Sequence, residues 1–408
     1  MTSSAWPLER IAFVALAGCL GLIQLTIVGA EILLDIAGLL WLFLAIRDRR
    51  PPAVPPFFWP LVAVAAWTLV SSAFSMDPAA SFWRDRQLLL YLVVPITMRL
   101  ARGARAMTTV DVIIALGAAG ALVGIVQYAA LGFDDLHQRP HGLLGHYMTY
   151  SGVLMLVLCA AGAQLLYRER GWIWPAVAVP ALFVALLTTQ SRNAWVGTLL
   201  AAAVLMTLRR AWKLVVAVPV MAVIVVMIAP ANIRSRALSA FDPNDATNRD
   251  RVAMLKSGRA MIADHPWTGV GPNMVPKAYI EKYKTPDAVD PVDRPNDTRA
   301  HLHNVPVQLA AERGLPALAA WLWFVVVAVR DLFRQFTRGR SRALAAGGLA
   351  AVVAMLAAGL FEHNFGDSEF LILFLGLITL PFAAAAPEET GDDTAHPPVP
   401  VPELTTHA

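Results

Sequence analysis

The stretch RAHLHNVPVQLAAERGLPALAAWLWF, residues 299–324, opens with an arginine and two histidines one residue apart and then becomes an apolar run of membrane length. Working outward, the same alternation of polar punctuation and apolar run fills most of the chain. Of 408 residues, 57% are hydrophobic and 15% charged, with mean hydropathy +0.56; soluble domains carry about 25% charged residues. The runs have the roughly 17–22 residues that a helix needs to cross about 30 Å of hydrocarbon, without the dyad alternation of a membrane barrel. The expected fold is an all-α integral membrane bundle.

Counting runs bounded by charged or Pro-rich segments predicts twelve spans, near 9–28, 31–46, 58–75, 87–101, 109–131, 147–167, 172–189, 194–208, 212–230, 305–329, 343–361 and 369–386. The first run lacks a convincing small-residue cleavage site and reads as a retained span rather than a removable signal. Spans 1–9 occupy residues 1–230, a long polar loop 231–304 follows, and spans 10–12 occupy 305–386. The Pro-rich, acidic stretch 387–408 is expected to be a disordered cytoplasmic tail. Within the loop, "NRDRVAMLKSGRAMIADHP" (248–266) reads as an amphipathic helix ended by Pro266. Cys19 and Cys159 lie far apart in apolar runs and read as small buried hydrophobes, not as a disulfide or a metal site.

Alternate connections ("RDRR", "MRLARGAR", "YRERG", "LRRAWK", "RDLFRQFTRGRSR"), with Arg10, hold 17 of the 33 Lys and Arg, whereas the intervening short ones hold Arg84, Arg86, Arg139 and Arg192. By the positive-inside rule both termini are cytoplasmic and the loop is on the far side. The net charge of +4 is then explained by membrane lipid headgroups as partners and not by nucleic acid. Seven of the nine histidines (His137, His141, His146, His265, His301, His303, His363) fall on the loop side, so the polar chemistry gathers there.

His303 stands where a loop meets a span, beside Asn304, and an imidazole that ionises near neutral pH suits proton transfer at such a place. His301 and Arg299 are neighbouring candidates for substrate contact. Arg192, in "TTQSRNAW", lies on the side where arginine is avoided. Arg249, Arg251 and Arg259 sit on the predicted loop helix, the last two about two turns apart, as a set suited to gripping an anion bidentately without a metal. "FEHNFGDSEF" (361–370) brings Glu362, His363, Asp367 and Glu369 to the same side. "GVGPN" (269–273) has the glycines of a tight turn but no strand-turn-helix context for a nucleotide loop.

"SRNAWVG", "RVAMLKSGRAMIADHPWTGVGPNMVPKAY" and "HNVPVQLAAERGLP" together resemble the O-antigen ligase and polymerase superfamily, over roughly residues 140–370. The ligase pattern of His-Asn and a later Gly-x-x-Gly is matched by His303, Asn304 and Gly314, while Ala317 replaces its second glycine. The resemblance implies a GT-C-like glycosyltransferase of the bacterial inner membrane with a periplasmic active site. It implies an inverting transfer without metal or other cofactor, from undecaprenyl-diphosphate-linked O-antigen to a sugar hydroxyl of lipid A-core oligosaccharide. His303 would be the general base; Arg192 and Arg251 would hold the diphosphate. Arg249, Arg259, Arg299, His301, Asn304 and His363 would bind substrate. An O-antigen polymerase or a protein O-oligosaccharyltransferase fits the same motifs. A secondary transporter fits twelve spans but predicts ionisable residues or helix breaks at mid-span, where this chain has mostly Ala, Leu and Val.

Overall fold

A computed structural model describes residues 5–49, 51–286 and 301–386. Arg299 and the stretch 387–408 lie outside the described residues. Among those described there is no strand, and the elements in chain order are α1 (Ala5–Leu22), α2 (Ile27–Asp48), α3 (Phe58–Ala73), α4 (Pro78–Asp85), α5 (Val93–Leu100), α6 (Arg105–Ala130), α7 (Tyr147–Tyr167), α8 (Ile173–Thr188), α9 (Arg192–Leu208) and α10 (Trp212–Ile228). After them come α11 (Ala231–Leu238), α12 (Ala246–Asp264), α13 (Val275–Ala278), α14 (Val305–Arg338), α15 (Arg342–Gly359) and α16 (Ser368–Ala385).

Every apolar run lies on helix. Six helices (α2, α6, α7, α14, α15, α16) are long and apolar enough to cross a membrane, and α3, α8, α9 and α10 are apolar but shorter. The run at 87–101 departs from a simple span: Arg86–Leu92 is a 3-10 helix that passes into α5. The tighter coil rises about 2.0 Å per residue against 1.5 Å for α, so a short run reaches further than its residue count suggests. The predicted loop helix appears as α12, N-capped by the Asp245 carboxylate, which accepts from Asn248 N at 3.2 Å.

Alanine and glycine decide which helix is central. α15, "RALAAGGLAAVVAMLAAG", is buried along nearly its whole length and packs against α7, α9, α14 and α16, because small side chains let backbones approach. On the outside, α10 has no buried residue and turns Val216 (70% exposed) and Ile228 (77%) outward, as a helix facing hydrocarbon does.

α14 is broken. Gly314 takes φ 81°, ψ 171°, and Pro316 two residues on has no N–H. The carbonyls that lose their helical partners are taken by the "WTGVGPN" turn (267–273) and by α3. Val270 N donates to Ala311 O (2.9 Å), Gly271 N to Glu312 O (2.9 Å), and Trp67 Nε1 to Arg313 O (3.0 Å). Ser71 Oγ adds a bond to Glu312 O at 3.0 Å, and the freed N–H of Leu315 donates to Pro266 O at 2.8 Å. A helix break among apolar spans persists when its polar groups are satisfied in this way. The turn therefore clips the loop to the bundle. Beside it, Met254, Met261, Val270, Val275, Tyr279, Leu302 and Ala311 make a second small core that seats α12 on the start of α14. Gly258 of α12 has no room for a side chain there, since a Cβ would meet Val307 Cγ1 at 2.4 Å.

Candidate active site

The site forms where α14 and α16 begin and α15 ends. Asn304 caps α14: its Oδ1 accepts from Val307 N (3.0 Å) and its Nδ2 donates to Leu360 O (3.0 Å), tying the cap to the α15–α16 connection. His303, just before the cap, takes a left-handed φ of 50°, uncommon for a residue with a Cβ and a mark of local constraint. That turn aims its ring at Glu362, which also receives His301. His301 Nε2 lies 2.7 Å from Glu362 Oε1, and His303 Nδ1 lies 3.1 Å from Oε2. His363 N donates to the same carboxylate at 3.0 Å.

An ionised carboxylate only accepts, so both imidazoles donate to Glu362. A neutral His303 bonded in this way carries its proton on Nδ1 and leaves Nε2 with a lone pair, the tautomer that a general base needs. Burial disfavours charge on Glu362, but the nearby His303 and the hydrogen bonds from His301 and His303 outweigh it and hold the carboxyl well below the usual 4.5. Burial also opposes charge on His301; the hydrogen bond and charge of Glu362, with Glu312 and Asp367 behind, still raise it above 6.5. His301, His303 and Glu362 also bring one nitrogen or oxygen each within 4.8 Å of one another, a donor set that could hold a metal ion.

His301, Glu362 and His363 line a cavity of about 230 Å³ with His146, Arg84 and Arg313 among its other walls. Arg313 is paired with Glu312 at 2.9 Å. His363 is driven well below 6.5 by burial and then by His301, Arg313 and Arg84, and its buried Nδ1 has no partner. His303 does not line this cavity.

A second cluster is cationic. The carbonyl of Asp134 gathers three segments by accepting from Gln190 Nε2 (2.8 Å) and Asn232 Nδ2 (2.6 Å). This brings the α6–α7 connection, the head of α9 and α11 together. Each contributes an arginine. Arg192, 8% exposed, donates to Ser239 Oγ (3.0 Å), Asp245 Oδ1 (3.2 Å) and Asn248 Oδ1 (3.0 Å). Arg236, 7% exposed, lies 3.8 Å from Asp245 Oδ2. Arg139 stacks 4.2 Å over Tyr147, and Arg251 of α12 lies 6.0 Å over Phe361. The Nε atoms of Arg139, Arg236 and Arg251 are buried without a hydrogen-bond partner.

These guanidiniums push on one another. Burial first, then Arg192 and Arg139, bring Arg236 down to about 10. Arg139 and Arg251 are lowered by burial and then Arg192, with Tyr147 and Glu362, respectively, acting against it. Arg251 feels both Glu362 and Arg192 and so bridges the histidine cluster and the arginine cluster. Partly desolvated, under-compensated guanidiniums with free N–H groups are built to receive an anion with several oxygens.

Of the residues singled out in the sequence, His301, His303, Asn304 and His363 are thus brought together around Glu362, and Arg192 and Arg251 join the second cluster. Arg249 and Arg259 are exposed on α12; eight residues at about 100° each separate Arg259 from Arg251 by roughly 80°. Two members of the arginine cluster, Arg139 and Arg236, were not among the predicted site residues. Arg139 did carry a signal, since it lies on the arginine-poor side with Arg192. Arg236, on a short loop helix in "NIRSRAL", carried none.

A bundle of apolar helices with partly buried histidines, a buried carboxylate and arginines gathered at one end defines a multi-pass membrane protein with a polar site rich in cationic groups. Residues 176–322 match the family Wzy_C, O-Antigen ligase, which supports membership of the O-antigen ligase superfamily. No curated protein matches the chain. The matched segment runs from α8 past the break in α14 and includes Arg192, Arg236, Arg251, His301 and His303.

Proposed function

We propose that this chain is an O-antigen ligase: an inverting, metal-independent glycosyltransferase that moves glycan from undecaprenyl diphosphate to a hydroxyl of lipid A-core oligosaccharide. The observation that carries the proposal is the arginine cluster joined through Arg251 to the pair His303–Glu362. His303 Nε2 accepts the proton of the acceptor hydroxyl while that oxygen attacks the anomeric carbon. The bond from that carbon to the diphosphate oxygen breaks on the opposite face, inverting the centre. Negative charge then grows on the leaving diphosphate, where Arg192, Arg251, Arg236 and Arg139 supply the compensation that a divalent cation supplies in many phosphate sites. Glu362 holds the His303 tautomer and orientation, as a carboxylate does for a catalytic imidazole.

Of the imidazoles that line the cavity, His146, His301 and His363, it is His301 that shares Glu362 with His303 through its ring. Its raised pKa favours the charged form, which suits binding and not proton abstraction, so the base is assigned to His303. The arginine bias of the connections supports a periplasmic site in the inner membrane with both termini cytoplasmic. Under that topology, residues 231–304 form the periplasmic loop between spans 9 and 10, of twelve.

The test is transfer from a purified undecaprenyl-diphosphate-linked glycan to lipid A-core in EDTA. Transfer is expected in wild type and to fall about 10²–10⁴-fold in His303→Ala, the usual worth of a general base. Loss of transfer in EDTA refutes the metal-independent account, and full retention by His303→Ala refutes the base. Glycan found on a second lipid diphosphate instead of on lipid A-core identifies a polymerase.

A further inference from the structure

We propose that His301, His303 and Glu362 form a binding site for a divalent transition metal of the zinc class, and that an ion held there excludes the proton transfer assigned to His303. The binding site stands on the geometry of the three side chains; its effect on proton transfer rests on the reading of function given above.

The donor set is two imidazoles and one carboxylate. That is the composition of protein zinc sites that keep a fourth position open. The histidines are one residue apart, their rings 4.5 Å centroid to centroid, and the left-handed backbone at His303 turns both toward one carboxylate. One ring nitrogen of His301, one of His303 and a Glu362 oxygen lie within 4.8 Å of one another. Tetrahedral ligands about 2.0–2.2 Å from zinc lie about 3.3 Å apart, so the present 2.7 Å and 3.1 Å separations open by a few tenths of an ångström around an ion. The His301 and His303 side chains are 32% and 20% exposed, Glu362 9%. Entry is therefore past the imidazoles, and the cavity beside His301 leaves room for a water as fourth ligand.

The binding step balances in protons. The nitrogens that now donate to Glu362 are the ones that would ligate, so a neutral ring moves its proton to the other nitrogen, and a charged ring releases the proton of the ligating nitrogen to solvent. In either case His303 Nε2 then carries a proton, and the acceptor hydroxyl has no base. Arg251, 6.0 Å over the ring of Phe361 next to Glu362, adds positive charge near the site and weakens the ion's hold, which fits an inhibitory ion better than a resident one.

Purified full chain, without a His tag and stripped with EDTA, is titrated with CoCl2, and the visible absorption of tetrahedral cobalt is read, with ZnCl2 as competitor. One equivalent should bind and be displaced by zinc. His301→Ala and Glu362→Gln should each weaken binding more than about tenfold, while His265→Ala, outside the cluster, should leave it alone. Because Glu362→Gln alters a buried group, the part-exposed His301→Ala serves as the variant that keeps its fold. Absence of tetrahedral cobalt, or a stoichiometry and affinity unchanged in His301→Ala, overturns the proposal. Zinc should also stop glycan transfer, reversibly with EDTA. Failure of transfer itself refutes the functional reading while the cobalt titration still decides this one.

Discussion

Replacing Gly314 with alanine tests how the loop is held to the bundle. At φ 81°, ψ 171° the backbone sits in a region reserved for glycine, where a side chain costs about 1–3 kcal/mol in strain alone. An added Cβ would also meet Trp267 O at 1.9 Å, Trp267 C at 2.3 Å and Thr268 N at 2.9 Å. Those are backbone atoms, so no side-chain rotation relieves the clash. If the turn lifts away, the bonds Val270 N–Ala311 O, Gly271 N–Glu312 O and Leu315 N–Pro266 O are lost, at about 0.5–1.5 kcal/mol each. The total is roughly 3–7 kcal/mol, a large share of the stability of a typical domain. At roughly 2 °C per kcal/mol, the melting temperature of purified protein in detergent, followed by tryptophan fluorescence, should fall by about 6–14 °C. A Gly314→Ala protein melting within about 2 °C of wild type refutes the clip and assigns the motif glycine to something other than packing.

Two further outcomes follow from charge. His301 is raised above 6.5, so its pair with Glu362 stabilises fully below the unfolded value and fades as pH rises through the folded pKa. Glu362 is held well below 4.5, so its contribution is present above 4.5 and lost as pH falls through its folded pKa. The melting-temperature gap between wild type and Glu362→Gln should be widest between 4.5 and 6.5 and narrow toward about pH 8; a gap that widens with pH contradicts the pairing. Inorganic pyrophosphate should raise the melting temperature of wild type by filling the arginine cluster, and Arg236→Gln should bind it about tenfold more weakly, the loss of one charge-assisted hydrogen bond. Equal pyrophosphate binding by the two, in an isothermal titration, removes Arg236 from the anion site.

The helices were legible because hydrocarbon forces the pattern: each crossing must be apolar along its length, and the punctuation between crossings marks the ends. The 3-10 turn at Arg86–Leu92 and the break at Gly314 were not, since composition does not say where the chain leaves α geometry. GVGPN shows the same limit. As a sequence it is a tight turn without context; its role appears only when the α14 carbonyls it satisfies come into view. Asn304 and His303 were readable because a cap and a helix start share one position. Glu362 stood out only as one of four polar groups in a connection, for its partners are 59 and 61 residues away.

The arginines carry a sharper lesson. Under the proposed topology, four occupy short connections on the arginine-poor side: Arg84, Arg86, Arg139 and Arg192. Arg192 and Arg139 stand in the cationic cluster, Arg84 lines the cavity, and Arg86 lies 4.6 Å over Trp83. That topology disfavours each, so their placement at one end of the bundle calls for a compensating role, and the unpartnered Nε atoms of Arg139, Arg236 and Arg251 suit the anion site proposed above. Two of those three ride on α11 and α12, and α12 is held by the second small core. Glu362 belongs instead to the α15–α16 connection of the main bundle. A substrate that bridges the clusters must therefore bind across the junction of the two cores, which is the junction that the turn at 267–273 clips together. Loosening that clip should separate diphosphate binding from proton transfer before it unfolds either core. A partially active Gly314 variant should accordingly lose transfer more steeply than it loses pyrophosphate binding.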